Sequence, residues 1–557
     1  MRRFSRAVLM LGATCLAFAL IAPPPGADLR PAAQAQTAAP LLDLAEARRQ
    51  GSVLREALAL GAGGNWAAAE AEIAREGDPL LADIVLWRKL RAGAGSIGEY
   101  RAYAARRPNW PGHTQLREVV LGERSGGGDA AALSGTALTN WREFSRIYRS
   151  DRDRAAERLD ALSMDAAALG VPQRWATRRR SLARAAARDG RPTLAYRLAA
   201  RHHLTPAAGY AYADCEWIAG WVALRRLNDP QLALAHFERF EAAVETPISL
   251  GRGGYWVGRA LAALGRNEAA RAAYGRAARF PTSFYGQLAA AEIGAAGDPA
   301  LARPDLPDWR TQPAVQTDDV RMATVLTYAG ERGLSDASFN RIGRLMRTQD
   351  DLAALADLTL EIGKPHVAVR LAKTGARRGW LIYPAYYPLH PLGIYVDDVE
   401  PAFALSVARQ ETELNPEAVS RAGARGLMQL MPGTAKLVAG QLGEPYDKRR
   451  LLTDWRYNAR LGSRYLRDRV RAFGGSYVLA AAAYNAGPRR AADWSKLYGD
   501  PRDPSVDVID WIETIPFNET RNYVQRVMEG LYVYRSRLTG RAGPMTILED
   551  LARGRRG

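Results

Sequence analysis

Three features of the sequence predict a mainly α-helical protein, with an N-terminal α-superhelical solenoid of helix pairs followed by a compact, predominantly helical domain. Alanine and arginine, both good helix formers, dominate the chain, and the alternation of β-branched residues that strands need is rare. Short polar turns recur at Gly64-Asn65-Trp66, Gly190-Arg191-Pro192, Asn228-Asp229-Pro230 and Gly265-Arg266-Asn267. The last three are spaced by about 37 residues, close to the period of helix-pair repeats, which must stack because one pair cannot bury its apolar face alone. After Asp397 the texture changes, and helices alternate with polar loops rich in Gly, Asn and Pro, as in a domain that carries a cleft.

Each segment has its own signal. Residues 1–6 are basic, residues 7–22 form an uncharged apolar run, and Ala33-Gln34-Ala35 supplies an A-x-A cleavage site, so residues 1–35 read as a signal peptide. Residues 36–315 are assigned to the solenoid. Trp217 with Phe237 in one unit parallels Trp256 with Tyr274 in the next, and these aromatics read as inter-helix core. Gly126-Gly127-Gly128 lacks the strand context of a phosphate loop and reads as a surface turn. The proline-rich stretch 295–317 is a linker, residues 316–390 a helical linker domain, residues 391–540 the C-terminal domain, and residues 541–557 a basic tail.

Composition bounds the function. At 557 residues the chain exceeds one ordinary core, and 47% hydrophobic residues exclude a disordered chain. The net charge of +18 calls for an acidic partner. Outside the cytoplasm nucleic acid is not available, and no second uncharged stretch is long enough to span a membrane, so the mature chain is expected without an integral membrane segment and with an anionic wall polymer as partner. Cys15 and Cys215 are the only cysteines, which excludes a disulfide scaffold and a CxxC site. No histidine lies in the C-terminal domain and none forms HExxH; no metal or cofactor is expected.

The candidate chemistry starts at the run Asp397-Asp398-Val399-Glu400-Pro401, an acidic cap with a proline in the first turn of a helix. In that helix Ala404, Val407 or Ala408, and Glu411 share one face, and Asn415-Pro416 is expected to end it. An apolar face that ends in a carboxyl is the setting that keeps a glutamate protonated near neutral pH. By itself such a residue is more often a solvated charge, and catalysis is the minority reading.

The motifs around it carry more. ARQE at 408–411, Asn415-Pro416, Ser420, GLMQLMPGTA at 426–435, AAYNAGP at 482–488 and IPFNETRNYV at 515–524 follow in order. With these motifs the chain resembles the soluble lytic transglycosylases, whose lysozyme-like catalytic domain follows a superhelical domain and cuts peptidoglycan glycan strands. The resemblance implies Glu411 as the catalytic acid. It implies that Ser420, Gln429, Met431 and Thr434 line or contact the saccharide cleft, that Tyr484 and Asn485 lie near the carboxyl, and that Glu519 binds the peptide-bearing sugar. It also implies a periplasmic enzyme acting on peptidoglycan strands, with the superhelix as a surface for cell-wall synthesis or division proteins. One departure is visible: Thr412 stands where the family has Ser after the acid.

Glycoside hydrolysis ordinarily needs a second carboxylate, for water or for a covalent intermediate. None is placed for that work in the matched motifs. A single carboxyl suffices if Glu411 first protonates the leaving oxygen and then takes the proton of the C6 hydroxyl, closing a 1,6-anhydro ring without water. Two alternatives stay open at this point: a hydrolytic muramidase, and a non-catalytic helical-repeat scaffold that binds the wall.

Overall fold

The computed structural model describes residues 42–121, 133–303, 305–394 and 399–555. The expected signal segment and the glycine run at 126–128 lie outside the described residues. Within them the chain is helical throughout, with β-structure limited to the isolated bridges Val419–Arg425 and Arg425–Leu430. No described helix is long and apolar enough to cross a membrane.

The solenoid turns read from the sequence owe their shape to a left-handed first residue. Gly64, Asn228, Gly190 and Gly265 have φ of 87°, 54°, 73° and 71°, values that glycine and asparagine adopt at least cost. Asp229 then caps the next helix by accepting the N–H of Leu232 at 2.9 Å. Helices Tyr210–Arg226 and Pro230–Ala242 form one pair, and Pro247–Ala263 and Asn267–Ala278 the next. In each pair an aromatic ring closes on a glycine. A Cβ on Gly220 would lie 2.7 Å from the Phe237 ring, and one on Gly258 would lie 2.4 Å from the Tyr274 ring. Trp217 and Trp256, both fully buried, link the two pairs with ring centroids 5.7 Å apart. These aromatics are core.

Two large hydrophobic cores organise the described chain, beside two small clusters, and both cross the segment boundaries read from the sequence. The first joins residues of the opening helices, from Leu42 to Leu116, to residues 309–385; helix Leu44–Ala62 packs on Asp318–Ala329. The second joins the later solenoid helices to the C-terminal domain. At its centre runs Asn518–Thr539, a 22-residue helix packed against Pro401–Thr412 and Tyr477–Ala486 on the side of the C-terminal domain and Phe284–Glu292 on the solenoid side. The expected basic tail folds back as helix Ile547–Ala552, with Ile547 and Leu551 buried and Asp550 accepting from Arg535 at 2.6 Å.

The seam between solenoid and C-terminal domain is polar at one point. Glu513 is buried and accepts from Arg252 at 3.0 Å, Gln525 at 2.8 Å, Arg184 at 3.3 Å and the Tyr285 hydroxyl. Burial alone would raise its pKa, but the charges of Arg252, Arg184 and Arg521 outweigh burial and hold it at about 2.

The glycine contacts predict opposite signs for one substitution. Gly220→Ala and Gly258→Ala should each lower stability by roughly 1–3 kcal/mol through overpacking. Gly275→Ala, in helix Asn267–Ala278 with open space at the Cβ position, should raise it by up to about 1 kcal/mol through helix propensity. Urea midpoints measure all three. Glu513→Ala should cost about 3–5 kcal/mol, because it strands buried guanidinium groups.

Candidate functional site

Helix Pro401–Thr412 is buried on nearly all sides, with Ala402 to Arg409 and Thr412 all enclosed. A helix this apolar is a core element, and it delivers Glu411 from the core to the protein's edge, where the carboxyl is half-buried. The start of the helix differs from the sequence expectation. Pro401 occupies the first turn, but Glu400 makes no side-chain cap; its carboxylate pairs with Arg535 and accepts from the Tyr477 hydroxyl at 3.0 Å. Asp397 and Asp398 lie outside the described residues. The end comes before Asn415-Pro416: Glu413 and Leu414 turn left-handed, with φ of 57° and 69°. Glu413 is held in that turn by Lys373 at 2.6 Å and Arg370 at 2.7 Å, both on helix Pro365–Ala376.

Thr412, the departure from the family pattern, has a clear role. Its hydroxyl donates to the Leu427 carbonyl at 2.9 Å and accepts the Asn415 N–H at 3.1 Å, tying the helix end to the loop that follows. That loop is fixed from the other side by Asn458, which is fully buried. Its amide nitrogen donates to the Arg425 and Leu451 carbonyls, and its oxygen accepts the Met428 N–H at 2.9 Å. Gly426, at φ 75°, has no room for a side chain, since a Cβ would meet the Leu451 carbonyl at 2.0 Å. Gly433, in helix Pro432–Gln441, has ordinary φ and open space, so the backbone does not require glycine there.

The Glu411 carboxyl has three polar neighbours. Burial pushes its pKa up to about 7, the Tyr523 hydroxyl draws it down, and the negative charge of Glu519 raises it. Tyr523 and Glu519 are four apart on Asn518–Thr539 and so share a face. The Tyr523 hydroxyl is buried without a satisfied hydrogen bond, poised beside the carboxyl. Tyr484 is the third neighbour: burial and the charge of Glu411 raise its pKa far above the usual value, and its hydroxyl donates to the Met428 carbonyl at 2.8 Å. Asn485 accepts the Thr520 hydroxyl at 2.6 Å, which leaves its amide N–H groups as what it can offer a ligand.

The structure therefore gathers Glu411, Tyr484, Tyr523 and Glu519, and ties the 427–428 backbone to them. The other expected residues lie further along the loop. Gln429, at φ 49°, donates to the Ala418 and Gly426 carbonyls, so its amide nitrogen holds the loop and its oxygen remains. Ser420 closes its own turn by accepting the Ala424 N–H at 3.0 Å. Met431 is exposed and Thr434 half-buried at the start of Pro432–Gln441. Tyr523 and Asn458 were missed from the sequence; the four-residue spacing from Glu519 was the available signal for Tyr523.

Comparison with known proteins follows the same division. Residues 395–504 match the Transglycosylase SLT domain, and residues 514–542 match the Soluble lytic transglycosylase helical domain. The soluble lytic murein transglycosylase of Escherichia coli (strain K12) is 37% identical over 139 residues, 25% of this chain and 21% of that protein. A putative soluble lytic murein transglycosylase of Haemophilus influenzae is 39% identical over 139 residues, 25% of this chain and 23% of that protein. The matched stretch thus spans about a fifth of the length of these curated relatives. The crystal structure of the 70 kDa soluble lytic transglycosylase from Escherichia coli superposes with a TM-score of 0.56 at 18% identity, covering 93% of this chain and 100% of that chain. An inactive mutant of lytic transglycosylase Slt from Pseudomonas aeruginosa gives 0.50 at 22% identity, covering 88% and 98%. At those identities the likeness is one of fold. Residues 395–542 are thus similar in sequence to the soluble lytic transglycosylases, and the chain as a whole shares the fold of their solved members.

Proposed function

We propose that the chain is a periplasmic peptidoglycan lytic transglycosylase that cleaves the bond between N-acetylmuramic acid and N-acetylglucosamine and leaves 1,6-anhydromuramic ends. The observation that carries this reading is the Glu411 carboxyl, held protonated to about pH 7 at the edge of a buried helix. A carboxyl so placed can first act as an acid on the glycosidic oxygen. As a carboxylate it then takes the proton of the C6 hydroxyl, whose oxygen attacks C1 and closes the anhydro ring. The substrate's N-acetyl group can assist the first half from within, with the Asn485 amide N–H groups on its oxygen. The Tyr523 hydroxyl has no satisfied bond and is free to donate to the Glu411 carboxylate in the second half. Tyr484 spends its proton on the Met428 carbonyl and so holds the loop.

A second reading is favoured by one observation. Glu519 is exposed but close enough for its charge to act on Glu411, so a water-using muramidase with two carboxylates is the competing chemistry. Glu519 lies in the first turn of its helix, where an anion is stabilised by the helix dipole, a setting suited to holding a cationic substrate group.

Glu411→Gln should reduce cleavage of purified sacculi by at least roughly 10²- to 10⁴-fold. Mass spectrometry of wild-type products in ¹⁸O-labelled water should show unlabelled anhydro ends; labelled reducing ends as the main product would establish the muramidase. The same variant should gain stability relative to wild type as pH rises. Between about 4.5 and 7 the folded wild type keeps a proton that the unfolded chain releases, so it loses stability across that window, by about 3 kcal/mol in all. The Gln variant has no such loss, and its melting temperature should pull ahead of wild type from pH 5 to pH 8.

The alkaline limb of the activity profile should move in opposite directions in two variants. Activity requires protonated Glu411 and falls as pH rises through about 7. Glu519→Gln removes a charge that favours the proton, and shifts the limb to lower pH. Tyr523→Phe removes a group that favours the carboxylate, and shifts it to higher pH. Profiles of kcat/KM against pH check both signs.

A further inference from the structure

Helix Pro401–Thr412 ends in a turn that glycine would suit and that has none. Glu413 and Leu414, with φ of 57° and 69°, are consecutive left-handed residues that carry side chains. With Gln429 they make three of the five such residues among the described residues, so this backbone is concentrated around Glu411. Glu and Leu lack the short polar side chain that eases the conformation for Asn and Asp, and it persists only where the surroundings enforce it.

The enforcement comes largely from outside the C-terminal domain. Leu414 is fully buried, and the Glu413 N–H donates to the Arg409 carbonyl at 2.9 Å. The Glu413 carboxylate reaches helix Pro365–Ala376, where Lys373 donates to it at 2.6 Å and Arg370, one turn earlier on the same face, at 2.7 Å. Burial alone would raise the pKa of this carboxyl, but Lys373 and Arg370 hold it below the usual carboxylate range. Arg370 is steadied in turn by Asp336 of helix Arg332–Leu345, at 3.6 Å, and Asp336 also pairs with Lys364 and with His366 at 2.9 Å. Further along the loop, Glu417 pairs at 2.5 Å with Arg332, the first residue of that helix. Three cations from residues 332–376 thus hold the segment 413–417 that begins just past Glu411.

As stability these contacts count for little, since the Lys373 and Arg370 side chains are 42% and 39% exposed. Their effect is on geometry. If Glu413 relaxed to helical angles, the helix would run on past Thr412 and carry away the hydroxyl that joins Leu427 to Asn415. Glu411 lies in that last turn, and its burial depends on the turn and the following loop staying closed. A misplacement of about 1 Å at a reacting group costs on the order of 10²-fold in rate.

We propose that Glu413, clamped by Lys373 and Arg370, is a positioning residue for Glu411, so that helices Arg332–Leu345 and Pro365–Ala376 act in the reaction through it. The proposal rests on the function proposed above.

Glu413→Gln and Lys373→Met, each in the full chain, test it, because they remove opposite charges from one contact. Both should lower kcat on purified sacculi roughly ten- to a hundredfold, with KM unchanged and little change in melting temperature. Acting directly through space, the two losses would move the Glu411 carboxyl in opposite directions, down without Glu413 and up without Lys373. A loosened turn opens the carboxyl to water in both, so the alkaline limb of kcat/KM should move to lower pH in both. The other groups at the two sites stay in place in either variant: Glu519, Tyr523 and Tyr484 beside Glu411, and Glu529 within reach of Lys373. A limb that does not move to lower pH in both, an unchanged kcat, or a variant that no longer folds would each overturn the proposal. If wild type cuts no strand, the proposed activity fails. Infrared titration of the Glu411 carboxyl, assigned by its absence in Glu411→Gln, then still decides the clamp by the same two signs.

Discussion

The carboxylate of Glu513 is enclosed by arginines from the solenoid and by the helix that carries Glu519 and Tyr523, and the rest of the structure is arranged around it. A buried ion pair earns little net stability, but its geometry is exacting, because a guanidinium left alone in the core is costly. Arg184 and Arg252 come from two different solenoid helices, and Gln525 from the central helix. Their common acceptor fixes the angle at which Asn518–Thr539 leaves the seam. That helix in turn presses on Pro401–Thr412, and so sets where Glu411 stands relative to Tyr523 and Glu519.

A second anchor acts from the other core. Glu413, two residues past Glu411, is pinned to helix Pro365–Ala376 by Lys373 and Arg370. Glu529, on the central helix, accepts the Phe284 N–H at 2.7 Å. The Glu411 carboxyl is therefore positioned through contacts with elements distant in sequence, and the loop from Thr412 to Met428 follows, held by Thr412, Asn458 and Tyr484.

What the sequence showed and what it hid divide along the same line. Local geometry was legible: the solenoid turns needed left-handed residues and had Gly or Asn there, and the apolar face of helix Pro401–Thr412 pointed to a perturbed carboxyl. Long-range pairing was not. Nothing in the Asp397 to Pro401 run says that Glu400 will serve Arg535 rather than cap its helix, and the tail's basic residues hide the apolar pair Ile547 and Leu551 that brings it back to the core. Tyr523 was readable only by its spacing from Glu519, and Asn458 by nothing local, since its three loop partners lie 7 to 33 residues away. The solenoid boundaries were drawn from prolines, whereas the cores follow burial, which pairs the opening helices with residues 309–385.

The separation between Arg184 and its acceptor Glu513 is 329 residues. Made from its N-terminus, the chain completes the helices of the solenoid long before the carboxylate that neutralises them exists. Until residue 513 is added, those guanidinium groups face either water or an unfinished core, and only the first of these is cheap. The seam of the second core must then stay open until the last tenth or so of the chain arrives, whereas the first core can close once residues up to 385 are present. The order of assembly is thus written into the fold, with the C-terminal end closing last and locking the solenoid as it does so.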